Sequence, residues 1–188
     1  MTTSRSVPCT SGIAVLDVLH ALGEMLGSET IEQAKARLPL SLRAEIEALT
    51  AVSWLPNTTL GALIDEVASC AGRDPEALVD QAVRAAVDRT FKSVWRMFLR
   101  VTSDDALIKR TPMIYQRSRN TGQLSARLIE PGYAELLLTD WPDISERHLR
   151  TIGVSIQRVV ELAGRRDVRM SVQRKPEGGR YELRWREA

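Results

Sequence analysis

The chain has 188 residues, with 26 basic against 24 acidic side chains, a net charge of +2, 44% apolar residues and 27% charged ones. That is an ordinary globular composition, long enough for one domain with a sizeable core, and too balanced in charge to announce a nucleic-acid binder by itself. Two cysteines, Cys9 and Cys70, make no disulfide framework, no apolar run reaches bilayer length, and Met1 to Ser11 lacks a basic-then-apolar signal, so a soluble cytoplasmic protein is expected.

Residues 1–9 are polar and read as a disordered tail, followed by a single domain over 10–188. Helices are expected from Ser11 to Met25, with Gly27 as its stop, from Glu29 to Leu38, broken by Pro39, and from Ser41 to about Val52. Trp54-Leu55-Pro56-Asn57 reads as a connection. A helix carrying Leu60, Leu63, Ile64 and Val67 follows and ends at Gly72, and Asp74-Pro75-Glu76 starts the next. Helical signal continues to Val101, with Phe91, Val94, Trp95, Phe98 and Leu99 at spacings of three and four. This aromatic stretch is expected to be central to the core.

Beyond Ser103 the pattern changes. Asp104–Arg110 reads as a short helical piece and Pro112–Gly122 as irregular or extended chain. Leu124, Ala126 and Leu128, then Ala134, Leu136 and Leu138, alternate with polar residues as half-buried strands do, with Pro131-Gly132 as the turn. A helix from Asp143-Ile144-Ser145-Glu146 to Ala163 carries the stripe Leu149, Ile152, Ile156, Val159, Val160 and Ala163, with Gly153 beside it as a point of close backbone approach. Val168, Met170 and Val172, then Tyr181, Leu183 and Trp185, form a second alternating pair across Pro176-Glu177-Gly178-Gly179. The expected fold is α+β: a helical part, 10–110, packed on a four-stranded antiparallel sheet of β-β-α-β-β order, 111–188.

Chemistry is sparse. His20 and His148 are the only histidines, and neither has a second ligand at a metal-like spacing. There is no Gly-x-Ser-x-Gly elbow and no phosphate-cradling glycine loop, and Cys70 reads as a small apolar helix residue. No catalytic residue, cofactor site or metal site is assigned. Three sets of candidates remain. Lys109, Arg117 and Arg119, around Tyr115, form a basic stretch suited to an anionic group. Trp95, Phe98, Ile152 and Ile156 could line an apolar ligand pocket between helices and sheet. Leu16, Leu19, Trp54 and Leu55, within the helical stretches Ile13–Leu26 and Leu42–Leu63, are interface candidates, because the helical part has more apolar surface than one sheet can cover.

The order of elements from Thr111 to Trp185 resembles the α/β core shared by H-NOX haem sensors, 4-vinyl-reductase-type domains and Bet-three-like subunits of transport-particle tethering complexes. The residues behind the likeness are Arg110-Thr111-Pro112, Leu136-Leu137-Leu138, the helix with Gly153, and the closing Tyr181-Glu182-Leu183-Arg184-Trp185. From Leu38 onward, Trp54-Leu55-Pro56, Arg110-Thr111-Pro112 and the closing Tyr-x-Leu-x-Trp also resemble a family of small uncharacterised proteins found largely in myxobacteria. The resemblance implies helices on one face of the sheet, often dimeric. It does not bring haem with it. H-NOX sensors use a histidine on a helix before the sheet and a Tyr-x-Ser-x-Arg motif. Here Thr90–Val101 has no histidine, and Tyr115-Gln116-Arg117-Ser118-Arg119 has the wrong spacing.

The leading expectation is a non-catalytic regulatory or scaffold module. It would act by protein association, as a homodimer or with another protein, with a small apolar ligand as an option. The alternatives are an enzyme using Tyr115, Arg117 or Arg119 on an anionic substrate, and a DNA-associated regulator using the arginine-rich last hairpin.

Overall fold

In the computed structural model the described residues are 7–91 and 94–186, and the side chains of 94–96, Trp95 included, lie outside the description. The fold is α+β, with eight helices, a two-stranded sheet and a four-stranded sheet, both antiparallel, among the described residues. No helix among them is long and apolar enough to cross a membrane. The chain divides into two compact units, Met1–Ala82 with Arg117–Thr121, and Val83–Gln116 with Gly122–Ala188.

The first unit holds β1 (Cys9–Ser11), α1 (Gly12–Leu26), α2 (Ser28–Arg37), α3 (Leu40–Glu47), β2 (Trp54–Pro56), α4 (Asn57–Ala71) and the first half of α5 (Pro75–Thr90). Helix α1 ends where Gly27 takes a positive φ, and α4 ends where Gly72 turns left-handed and Arg73 N–H reaches Ala68 O at 2.9 Å. Asp74 caps α5 by accepting from Ala77 N–H at 2.7 Å. Helix α2 packs on α4 and on α1, burying Val15, Leu22, Ile31, Ala34, Leu63, Ile64 and Val67. Strands β1 and β2 pair with Thr10 opposite Leu55 and Ser11 opposite Trp54. Gly12 is required where α1 leaves β1. Its N–H donates to Ser53 O at 2.7 Å, and a Cβ there would sit 1.9 Å from Thr50 O.

The second unit is built on the four-stranded sheet: β3 (Gln123–Glu130), β4 (Tyr133–Thr139), β5 (Arg166–Lys175) and β6 (Gly178–Arg186), ordered β3-β4-β6-β5. Helix α8 (Glu146–Leu162) lies between the two hairpins in the chain and packs on β5 and β6. Period-two alternation sends Leu124, Ala134, Leu136, Leu138, Tyr181, Leu183 and Trp185 to one face. The α8 stripe Leu149, Ile152, Ile156 and Val160 joins the same core. Helix α7 (Asp104–Ser118) adds Leu107, Ile108 and Tyr115. Polar ties hold the helices in place. Arg158 clasps Asp88 through two bonds of 2.9 Å and also reaches Glu161, which accepts from Arg84 at 2.8 Å. Asp104 accepts from Arg165 at 2.8 Å and from the Trp185 indole at 3.0 Å.

Several expectations are corrected. The tail does not run through residue 9: Cys9 starts β1, and Asn120 holds this stretch by accepting from Cys9 N–H at 2.6 Å and donating to Val7 O at 3.0 Å. Residues 112–118 are helical despite Pro112. A proline inside a helix forfeits one backbone bond, but burial of Leu107, Ile108 and Tyr115 on one face of α7 keeps the helix going through it. Helix α3 stops at Glu47, short of the expected Val52. The cap of α8 is Ser145, whose Oγ accepts from His148 N–H, and not Asp143. The turn of the last hairpin is only Pro176-Glu177, and Gly178 and Gly179 are buried strand residues. A Cβ on Gly178, at φ 147°, would meet Leu138 O at 2.3 Å, and one on Gly179 would meet Leu149 Cδ2 at 2.5 Å. Gly153 is approached by the Met170 and Tyr181 side chains, not by backbone.

Candidate functional site

The interface candidates separate into exposed and buried residues. Pairing of β1 with β2 puts Trp54 opposite Ser11, the residue that caps α1. Ile13 follows at the second position of the helix and Leu16 stands three residues on, on the same face. Val52 adjoins through the loop that Gly12 N–H anchors at Ser53. All four side chains are exposed at this end of the first unit, Ile13 57%, Leu16 38%, Val52 90% and Trp54 45%. Leu19 is half-buried. Leu55 is 1% exposed, because strand alternation turns it away from Trp54 into the core, so it is removed from the interface set.

Of the ligand-pocket candidates, Ile152 and Ile156 are buried in the core of the second unit, and the Trp95 side chain lies outside the described residues. Phe98, on α6 (Val94–Arg100), is 57% exposed and Met97 is more so, so these two residues are not core residues. Leu99 is the residue of this turn that packs against the core. The anion candidates fall in both units. Lys109, in the second unit, pairs with Asp105 one turn earlier at 2.8 Å. Arg117 and Arg119 belong to the first unit, where Arg119 turns back to donate to Ser118 O at 3.0 Å. Tyr115, named with Arg117 and Arg119 for the enzyme alternative, is buried in the sheet core.

Both histidines have partners close by in the chain. His20 pairs with Glu24 at 3.1 Å on the exposed side of α1. His148 Nδ1 lies 2.7 Å from Ser145 Oγ, and its ring packs 5.8 Å from Trp141. No group of three or more His, Cys, Asp or Glu stands ready for a metal ion among the described residues.

The outer face of the sheet carries a charged array that includes the arginine-rich last hairpin. Cross-strand register aligns Ser125, Leu137, Arg180 and Gln173 in one row, and Arg127, Glu135, Glu182 and Ser171 in the next. A third row places Glu130, Tyr133, Arg184 and Arg169 side by side. Glu135 accepts from the Tyr133 hydroxyl at 2.7 Å and pairs closely with Arg180. The Tyr133 bond, followed by Arg180, holds the Glu135 carboxyl below the usual carboxylate range. The same bond to Glu135 pushes the Tyr133 phenol up. The Arg184 guanidinium covers the Tyr133 ring at 4.0 Å. An open groove of about 580 Å³ crosses this face, lined by Ser125, Arg127, Glu135, Leu137, Lys175 and Arg180 among others. The sequence signal was available in Leu137, the one large apolar residue on the polar side of β4.

The architecture matches solved structures. One is the Fe(II) unliganded H-NOX protein from K. algicida, with a TM-score of 0.68 at 11% identity, covering 95% of this chain and 97% of that one. The fold is that of the H-NOX domains. An oxygen-binding H-NOX domain related to soluble guanylate cyclases matches at a TM-score of 0.67 and 11% identity, covering 93% of this chain and 94% of that one. A T. Tengcongensis H-NOX variant matches at 0.64 and 12%, covering 94% and 96%. No protein-family model matches the chain. No curated protein matches it in sequence. The H-NOX likeness is therefore one of fold.

Proposed function

We propose that this chain is a haem-independent, non-catalytic regulatory module of H-NOX-like fold. It acts in the cytoplasm by association, with a second copy of itself as its partner. The observation that carries the proposal is the apolar surface of Ile13, Leu16, Val52 and Trp54, large side chains kept in water on a folded unit. Structures of the same fold are described in terms of haem. The residues of this chain do not fit a histidine-held haem: His20 is an exposed partner of Glu24, and His148 is fixed between Ser145 and Trp141. Kinship with the small myxobacterial proteins is part of the same proposal and rests on Trp54-Leu55-Pro56, Arg110-Thr111-Pro112 and the closing Tyr-x-Leu-x-Trp.

Native mass spectrometry of the purified full chain tests this reading. The expected species is a dimer without bound porphyrin, and haem reconstitution is expected to leave no Soret band. A stoichiometric haem complex would overturn the haem-independent role, and a monomer alone would overturn self-association.

A further inference from the structure

We propose that the outer face of the four-stranded sheet is a second docking surface, for an extended acidic peptide segment carrying an apolar side chain. This goes beyond the association proposed above and uses residues of the other unit. Five cations, Arg127, Arg169, Lys175, Arg180 and Arg184, share the face with three carboxylates, Glu130, Glu135 and Glu182. Glu135 and Glu182 are both held by Arg180, by a close pair to Glu135 and at 3.5 Å to Glu182. The pairing leaves positive charge in excess. Among the described residues, Arg169 and Lys175 make no ion pair or hydrogen bond through their side chains, and Arg127, whose charge acts on Glu135 across the strands, makes no direct bond to it, so these cations face the groove with positive charge to spare.

The groove supplies the second half of the recognition. Leu137 is 43% exposed on its floor, with Arg127, Lys175 and Arg180 around it. A cationic rim about one apolar side chain fits a carboxylate-bearing strand with a leucine-like residue between its acids. The adjoining edge strand β5 is the longest of the sheet, carries no proline and pairs on one side only, so a segment can also add to its free backbone edge. A nucleic acid fits less well. Glu135 and Glu182 interrupt the positive surface, and Arg184 covers the ring of Tyr133, the aromatic on these rows that could stack a base.

The test uses the full chain and a fluorescein-labelled peptide of alternating glutamate and leucine, with a serine–leucine peptide and an oligouridine of similar length as comparisons, followed by anisotropy. The expected result is saturable binding of the acidic peptide alone, weakened at least about tenfold by Arg127→Glu with Lys175→Glu and by Leu137→Asp. Lys109→Glu, away from the groove, leaves binding unchanged. Circular dichroism of each variant confirms that it is folded. No binding of the acidic peptide overturns the proposal, as does equal loss with Lys109→Glu. Oligouridine binding that is tighter than peptide binding and lost in the same variants would assign the face to nucleic acid instead. Dimer formation in the same samples reports separately on the association proposed above.

Discussion

Replacing Trp185 probes the join between the last strand and the helices of the second unit. The indole is 6% exposed and its Nε1–H donates to Asp104 Oδ2 at 3.0 Å, while Asp104 Oδ1 binds Arg165. Truncating a buried tryptophan to alanine costs about 3–5 kcal/mol. Asp104 keeps Arg165, so its charge is not stranded, and the middle of that range, about 4 kcal/mol, is expected. Trp185→Phe keeps most of the buried area but removes the N–H. A hydrogen bond to a charged group contributes about 1.5–3 kcal/mol, so a loss of about 2 kcal/mol is expected for the phenylalanine. With a urea slope of about 2 kcal/mol per molar, the alanine variant unfolds about 2 M earlier and the phenylalanine variant about 1 M earlier. Urea titration followed by far-ultraviolet circular dichroism reads both. Equal midpoints for wild type and Trp185→Ala would refute the packing argument. Equal midpoints for the two variants would refute the role given to the Asp104 bond.

Two glycines in close quarters should respond oppositely to alanine. Gly12→Ala forces a Cβ to within 1.9 Å of backbone Thr50 O and is expected to cost about 3 kcal/mol, read as an earlier thermal midpoint. Gly153→Ala meets the flexible Met170 side chain at 3.3 Å and gains helix propensity, so its change stays within about 1 kcal/mol. Burial opposes ionisation of Glu161, but the bonds from Arg158 and Arg84 outweigh it and leave the carboxyl below the usual carboxylate range. A depressed folded pKa gives stability that is complete above the unfolded value and is lost as pH falls through the folded one. Glu161→Gln is therefore expected to cost about 2 kcal/mol near neutrality, and the gap to wild type should shrink in acid titrations.

Much of the second unit was legible because its signals are long and periodic. Tyr181, Leu183 and Trp185 alternate through a whole strand, and Leu149 to Val160 hold one helix face, so local pattern and tertiary burial agree. The misses have physical causes. Strands β1 and β2 have three residues each, too short for alternation to show, and they exist because Asn120 and Asn57 tie down the residues next to them. Pro112 was read by its local preference, which the buried face of α7 overrides. Phe98 was placed in the core on aromatic spacing alone, but its helix is only seven residues long and buries Leu99 instead. Trp54 and Leu55 were grouped by adjacency, yet neighbouring strand residues face opposite ways. Alternation alone puts Arg169, Gln173, Arg180, Glu182 and Arg184 on the outer face of the last hairpin, but their alignment with Arg127, Glu135 and Leu137 is made by register across four strands, which no single strand displays.

The central claim is association through the apolar surface at the start of α1. Multi-angle light scattering of wild type and of Ile13→Ser with Trp54→Ser, both at micromolar concentration, measures it directly. Both positions are exposed, so the double variant is expected to fold, and circular dichroism checks this. A dimer mass is expected for wild type and a monomer mass for the variant. A monomeric wild type, or a dimer that the two serines leave intact, would contradict it.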